Sequence, residues 1–357
     1  MNIFEPIVED TQFHQNFRVT LDPLRKNDRE EFLRWASGFP DHDGKVIKEF
    51  QISFNSMFWE IYLFAVFKEY GFELDWTYHA PDFSVTSGIH QFTVEAVTAS
   101  AAADKPNEWD KIYNPADFAE FNIDKLNKEA MVRLSNSILS KHRKYKADYA
   151  IMPHVVRRPF VLAVGPFEQP FFNHQYNRAI RAVLYDHYID ESAYTENPEK
   201  YPKGPPNVRL NFVKKNNGSD IELGVFNDDR MEEISAVIFS CTATWGKVNA
   251  LAPESSNCQT TVNSLWYSEP FGELVQKTGT QSEVGEMITD GLQVYHNPNA
   301  LYPLSPDIFR RMGVVQEFYN SESKEWIHEE INRNLVSRYA WNGYVSNEEF
   351  EDKVNDG

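Results

Sequence analysis

The stretch from Phe54 to Ser100 constrains the fold of this chain more than any other. It begins FNSMFWEIYLFAVFKEYG, an apolar segment with one acid, Glu60, inside it and Gly71 at its end. Phe54, Met57, Phe58, Ile61, Leu63, Phe64, Ala65 and Phe67 leave few polar faces, so the spacing predicts a helix over 53–70 buried on more than one side. Gly71 is a natural C-terminal stop. Phe72 to Tyr78 reads as a strand. Pro81-Asp82-Phe83 starts another, because proline is tolerated at a strand's first residue or on an edge. Thr86-Ser87-Gly88 turns the chain, and Gln91 to Thr98 pairs back as the second arm of a hairpin. Three carboxylates, Glu60, Asp82 and Glu95, thus fall on mostly apolar elements, where an uncompensated charge is strongly unfavourable. A divalent metal ion is the simplest compensation.

The chain is long enough, at 357 residues, for one large domain or two ordinary ones with a sizeable core. No apolar run approaches the roughly 20 residues needed to span a bilayer. The richest, Met57 to Phe67, is short and interrupted by Glu60. The acidic N-terminus lacks the basic-then-apolar pattern of a signal peptide. Two cysteines, Cys241 and Cys258, make neither a disulfide framework nor a Cys-rich zinc site. A cytoplasmic protein with no membrane partner is expected.

A formal charge of −18 works against general affinity for nucleic acid. The charge is unevenly spread, however. From Ile123 to Arg158 nine basic residues (Lys125, Lys128, Arg133, Lys141, Arg143, Lys144, Lys146, Arg157 and Arg158) face three acids. Such a run is either a solvated helix face or a phosphate-facing patch. The acidic remainder implies restricted access to that patch, or help from a partner protein or a second copy of the chain.

Along the rest of the chain, a helix is expected around Asp28 to Ala36. Asp41-His42-Asp43-Gly44 looks metal-like in isolation but reads better as a turn. Ala99 to Ala116 suggests a loop. A long helix opens at Asp117 or Asn122 and runs to about Lys146, with Leu126, Ala130, Met131, Leu134, Ile138 and Tyr145 on one apolar arc. Lys141 falls inside that arc, Lys144 at its edge and Lys146 outside it. Pro159 to Val164 reads as a buried strand and Asn173 to Tyr188 as a helix. Val208 to Lys214 and Ile221 to Phe226 read as strands joined by a turn at Asn216-Asn217-Gly218. Ile234 to Ser240 and Leu292 to His296 are further strands, and Trp326 to Tyr339 an amphipathic helix. Cys241 is expected in the core. His296-Asn297-Pro298 positions a substrate or, on the simpler reading, is a turn with a hydrogen-bonded histidine. This order implies a mixed α/β sheet covered by helices. It divides into an N-terminal extension (1–50), a core (51–250) and a C-terminal α+β elaboration (251–357).

Asp82 and Glu95 are potential cross-strand neighbours. Two close carboxylates raise each other's pKa unless a cation is present. Oxygen ligands of this kind suit Mg²⁺ or Mn²⁺, which polarise a phosphoryl oxygen and acidify an attacking water. Lys141, with its stem toward the core, is the natural partner for developing negative charge.

In this order, the helix acid Glu60, Pro81-Asp82 and Glu95 after a short hairpin resemble the PD-(D/E)xK nuclease superfamily. The resemblance covers roughly Ser53 to Val164. A bacterial branch of that superfamily looks similar over a longer stretch, with its Lys-x-x-Lys-Tyr helix, Pro-Phe-Val-Leu-Ala strand and late His-Asn-Pro step. The resemblance implies a restriction-endonuclease-like fold, a mixed central sheet flanked by helices. It implies a Mg²⁺-dependent (or Mn²⁺-dependent) endonuclease acting on DNA, with Asp82 and Glu95 as metal ligands and Glu60 as the acid on the preceding helix. It also allows a role in defence against foreign DNA. One departure is plain: the superfamily places a lysine two residues after the second acid, where this chain has Val97. Either the lysine has moved to the following helix, as Lys141 with Lys144 in reserve, or the site is inactive and serves assembly or binding. Arg143, Lys144, Lys146, Arg157 and Arg158 are the expected nucleic-acid contacts. A glycoside hydrolase using the paired carboxylates is a third reading, opposed by the inward lysine and the basic helix.

Overall fold

A computed structural model of the chain describes residues 2–41, 44–101, 105–110, 122–254, 258–268 and 272–344. His42 and Asp43 of the metal-like tetrad, the alternative helix start Asp117 and the acidic C-terminal end lie outside them. The chain forms two compact units, and each is assembled from separated segments.

The first unit comprises Met1–Tyr70, Thr242–Gly291 and Glu330–Gly357. Its centre is the helix Phe54–Glu69, twelve of whose sixteen residues are buried. That is the expected outcome for a helix apolar all round. Rings of Phe32, Phe50, Phe54, Phe58 and Trp245 form a connected cluster along this core, with touching pairs 4.9–6.3 Å apart. A three-stranded antiparallel sheet (Leu274–Gly279, Cys258–Tyr267, Asn334–Tyr344) completes the unit.

The second unit, Gly71–Cys241 with Leu292–Glu329, is built on an eight-stranded mixed sheet whose spatial order follows the chain. Its strands are β1 (Glu73–Leu74), β2 (Phe83–Ser87), β3 (His90–Thr98), β4 (Phe160–Gly165), β5 (Ala236–Phe239), β6 (Leu292–His296), β7 (Val314–Asn320) and β8 (Glu325–Glu330). The β1–β3 meander is antiparallel, β4 and β5 run parallel to β3, β6 reverses, and β7 runs parallel to β6. Every residue of β4 and β5 is buried, as expected of parallel strands covered on both faces. The return from β3 to β4 passes through the long helix Ile123–Lys144, because parallel neighbours need a crossover. Asn122 caps that helix by accepting from the Lys125 N–H at 2.8 Å. The arc from Leu126 to Ile138, with Tyr145, is buried as the periodicity requires.

Several local expectations are corrected. Phe72–Tyr78 yields only Glu73–Leu74, because the Asp75 side chain accepts from the Thr77 N–H at 2.9 Å and starts a turn. Val208–Lys214 breaks at Asn211, where φ is +63°, into Asn207–Val208 and Phe212–Lys214. Trp326–Tyr339 is no helix. It divides between β8 and Asn334–Tyr344, and the latter pairs with Cys258–Tyr267 over ten positions. A ladder of that length outweighs local propensity. The division into three consecutive blocks likewise gives way to interleaved units, since local patterns carry no record of where a chain returns.

Candidate metal and phosphate site

The chemistry-bearing residues of the second unit meet where the β2–β3 hairpin lies beside the long helix. Phe83 pairs with Val94 and Ser84 with Thr93. One further step of that register sets Asp82 opposite Glu95. Asp82 Oδ2 accepts from the Ala96 N–H at 2.7 Å, which closes the pair from the backbone side. Glu95 is 1% exposed. Its Oε1 accepts from Lys141 Nζ at 2.6 Å and Lys144 Nζ at 3.0 Å, and its Oε2 from the Tyr149 hydroxyl at 3.0 Å. The compensation that a buried glutamate requires therefore comes from two ammonium groups and a phenol.

Burial and the negative charge of Glu95 push the Asp82 carboxyl up to about 7, against the pull of the Ala96 N–H and the two lysines. Burial disfavours the charged Lys144, yet its hydrogen bonds to Tyr149 and Glu95 hold it above the usual lysine range. Burial likewise raises Tyr149 to about 12, so it stays a hydroxyl donor.

The shift at Asp82 has a sign that can be tested. The folded carboxyl binds its proton up to about 7, the unfolded one only to about 3.8. Its contribution to stability is complete below the unfolded value and is lost as pH rises through the folded one. Thermal unfolding of wild type and Asp82→Asn at pH 5 and pH 8 should show the variant gaining on wild type at pH 8, by a few kcal/mol at most. Parallel pH profiles would exclude the shift.

Tyr149 is the residue that the sequence reading missed. At about 100° per residue, Asp148 would continue the line of Lys141 and Lys144. The helix instead ends in a π-turn over Tyr145–Tyr149, with the Ala150 N–H bonded to the Tyr145 carbonyl at 2.9 Å. One inserted residue brings Tyr149 round to Glu95 in place of Asp148.

Glu60 lies on the helix Phe54–Glu69 of the first unit, a different body from the one that holds Asp82 and Glu95. Of the expected nucleic-acid contacts, Lys144 is engaged by Glu95, and Lys146 pairs with Glu233 at 3.0 Å beside His142. Arg143 and Arg157 are exposed and Arg158 is half-buried. The His296 step is a turn: buried His296 bonds Gln316 at 3.0 Å, and Asn297 donates to the carbonyls of Met231 and Ile234. Cys241 is buried, 1% exposed. Beyond Glu95, a cleft of about 320 Å³ is lined by Val97, Ser100, Asn136, Ser137, Ser140 and Lys141 among others, so the expected and the observed lysine positions border one space.

Among the described residues no group of three or more His, Cys, Asp or Glu side chains is placed to hold a metal ion. The donor set is therefore two carboxylates. Asp82 Oδ1 has no hydrogen bond among the described residues, and Glu95 Oε2 accepts only from Tyr149. One or two carboxylate oxygens, with water and substrate completing the shell, are what Mg²⁺ commonly takes, so the residues fit it. A carboxyl raised by burial and by a neighbouring anion is also one that a cation would help to ionise.

Searches against protein-family models, curated proteins and solved structures each return no match for this chain.

Proposed function

We propose that this protein is a metal-dependent phosphodiester hydrolase, a nuclease acting on DNA. The observation that carries the reading is the 2.6 Å contact between Lys141 and Glu95, a lysine arriving from the helix where Val97 occupies the strand position. The coarse mixed α/β architecture, with a long helix between β3 and a parallel β4, supports the restriction-endonuclease-like assignment.

Asp82 and Glu95 would hold Mg²⁺ or Mn²⁺, which when bound supplies charge for a phosphoryl oxygen and a more acidic water. The remaining roles fall to the chain itself. Lys141, 21% exposed at its side chain, can donate to a phosphate oxygen while it remains tied to Glu95. Lys144 and Tyr149 fix the Glu95 carboxylate so that its orientation is set before substrate arrives. Asp82, whose carboxyl is raised to about 7, would serve as a ligand in its ionised form, its proton lost to solvent.

The engagement of both Glu95 oxygens favours a second reading, a nuclease-like module that binds without cutting. Plasmid, single-stranded DNA and RNA incubated with wild type and Asp82→Ala, with and without Mg²⁺ or Mn²⁺, separate the two. Metal-dependent cleavage lost by at least about a hundredfold in the variant is expected. Wild type as silent as the variant on every substrate would remove the hydrolase reading.

A further inference from the structure

The long helix carries a second feature that the proposed chemistry does not use. Its N-terminal half faces the hairpin of Phe212–Lys214 and Asp220–Glu222 across a cleft of about 550 Å³. Lys105, Lys125, Lys128, Arg133, Lys214 and Lys215 line it, against two acids, Asp124 and Glu129. Those acids are partly spoken for: Asp124 accepts from the Tyr188 hydroxyl at 2.5 Å, and Glu129 pairs with Lys105 at 3.7 Å. Lys214 pairs with Asp220 at 2.9 Å. Lys125, Lys128 and Lys215 make no ion pair among the described residues, and Asn122, Asn136, Asn216 and Asn217 add neutral polar groups to the wall. In a protein of formal charge −18, such a concentration of cations in one concavity is an anion-binding arrangement.

The cleft adjoins the smaller one beside the candidate site, and the two share Arg133 and Asn136. Lys125, Lys128, Val132, Arg133 and Asn136 line the basic cleft, and Arg133, Asn136, Ser137, Ser140 and Lys141 line the smaller one beside Val97. Neighbouring positions in this set stand three or four residues apart, so the lining winds round the helix, turning about 160° between Lys125 and Lys141 at about 100° per residue. From Lys125 to Lys141 the helix rises about 24 Å at 1.5 Å per residue. That length corresponds to about seven nucleotides at 3.4 Å each along one strand.

We propose that these two adjoining clefts form the track of a nucleic-acid backbone, with phosphates several nucleotides from the reacting one held by Lys125, Lys128 and Lys215. The assignment of Lys141 as the track's reacting end rests on the hydrolase reading; phosphate binding in the basic cleft does not. The C-terminal basic residues Lys144 and Lys146, bound to Glu95 and Glu233, are left with structural and positioning work.

The test uses full-length protein carrying Asp82→Ala, so that binding is read without cleavage. Fluorescence anisotropy with labelled single strands of about 4 and 12 nucleotides and a duplex of about 12 base pairs compares this parent with Lys125→Gln/Lys128→Gln/Lys215→Gln. The exposed pair Lys26→Gln/Lys48→Gln serves as a charge control. The triple variant should lose about tenfold or more in affinity for the 12-nucleotide ligand at low salt. Its slope of log affinity against log salt should shrink by about two to three, while the control stays near the parent. The 4-nucleotide strand, too short to run from Lys125 to Lys141, should bind the parent more weakly than the longer one. The single-stranded and duplex arms show which form the track accepts. Unchanged affinity in the triple variant, equal loss in the control, equal affinity for both lengths, or no binding by the parent overturns the proposal. Binding lost in the triple variant beside a wild type that cuts nothing retains the basic cleft and rejects the hydrolase reading.

Discussion

On the proposed hydrolase reading, replacing Lys141 with methionine should lower metal-dependent cleavage at least about a hundredfold, the scale of removing one donor that stabilises developing charge. Methionine preserves the stem's packing and deletes the ammonium that sits 2.6 Å from Glu95. Lys144, which also reaches Glu95 but is 44% exposed, should matter less; Lys144→Met should cost about tenfold. The decisive variant is Val97→Lys in the Lys141→Met background. Val97 lies two residues beyond Glu95 on β3, hence on the same face of the strand, and borders the same cleft as Lys141. A lysine there should recover at least about tenfold of the lost rate, whereas Val97→Met should recover none. Single-turnover rates and melting curves measured together separate chemistry from folding. Wild-type rates in Lys141→Met would remove this lysine from the mechanism.

In the first unit, Glu286→Ala should destabilise the protein by about 3–5 kcal/mol, the cost of stranding buried charge. Glu286 Oε1 accepts from Lys247 Nζ at 2.6 Å, and Oε2 accepts from Arg338 Nε at 3.0 Å. The three side chains are 1%, 0% and 2% exposed, so water cannot replace a lost partner. Lys247 also donates to the Asp290 carbonyl at 2.7 Å, and burial already lowers its pKa. Lys247→Met, which removes a charge without opening a large cavity, should cost less, because Glu286 keeps Arg338. Denaturant unfolding monitored by tryptophan fluorescence measures both variants. Equal, small losses would mean that this buried network contributes little to stability.

These two sites differ in how far the sequence exposes them. Asp82 and Glu95 were legible because a Pro-Asp step, a Ser-Gly turn and an alternating second arm fix a hairpin register locally. Lys141 was legible because it interrupts an apolar arc at helical spacing. The Lys247–Glu286–Arg338 network was not, for its members stand 39 and 52 residues apart. Nothing about an isolated lysine between Gly246 and Val248 marks it as buried. Tyr149 was hidden for a subtler reason. A single π-turn shifts the helical phase by one residue, and an ideal-helix projection selects Asp148.

The sequence by itself determined the elements whose character is local. These are the all-round apolar helix Phe54–Glu69, the hairpin carrying two acids, the capped helix from Ile123 and the buried runs of β4 and β5. Only the tertiary structure decided which of these share a body. It placed Glu60 in one unit and Asp82 with Glu95 in the other, and made strands of Trp326–Tyr339. It also set the hairpin bearing Lys214 and Lys215 across from the basic half of the long helix. Backbone propensity acts over a few residues, whereas burial, ladder pairing and charge compensation are settled by neighbours tens or hundreds of residues away.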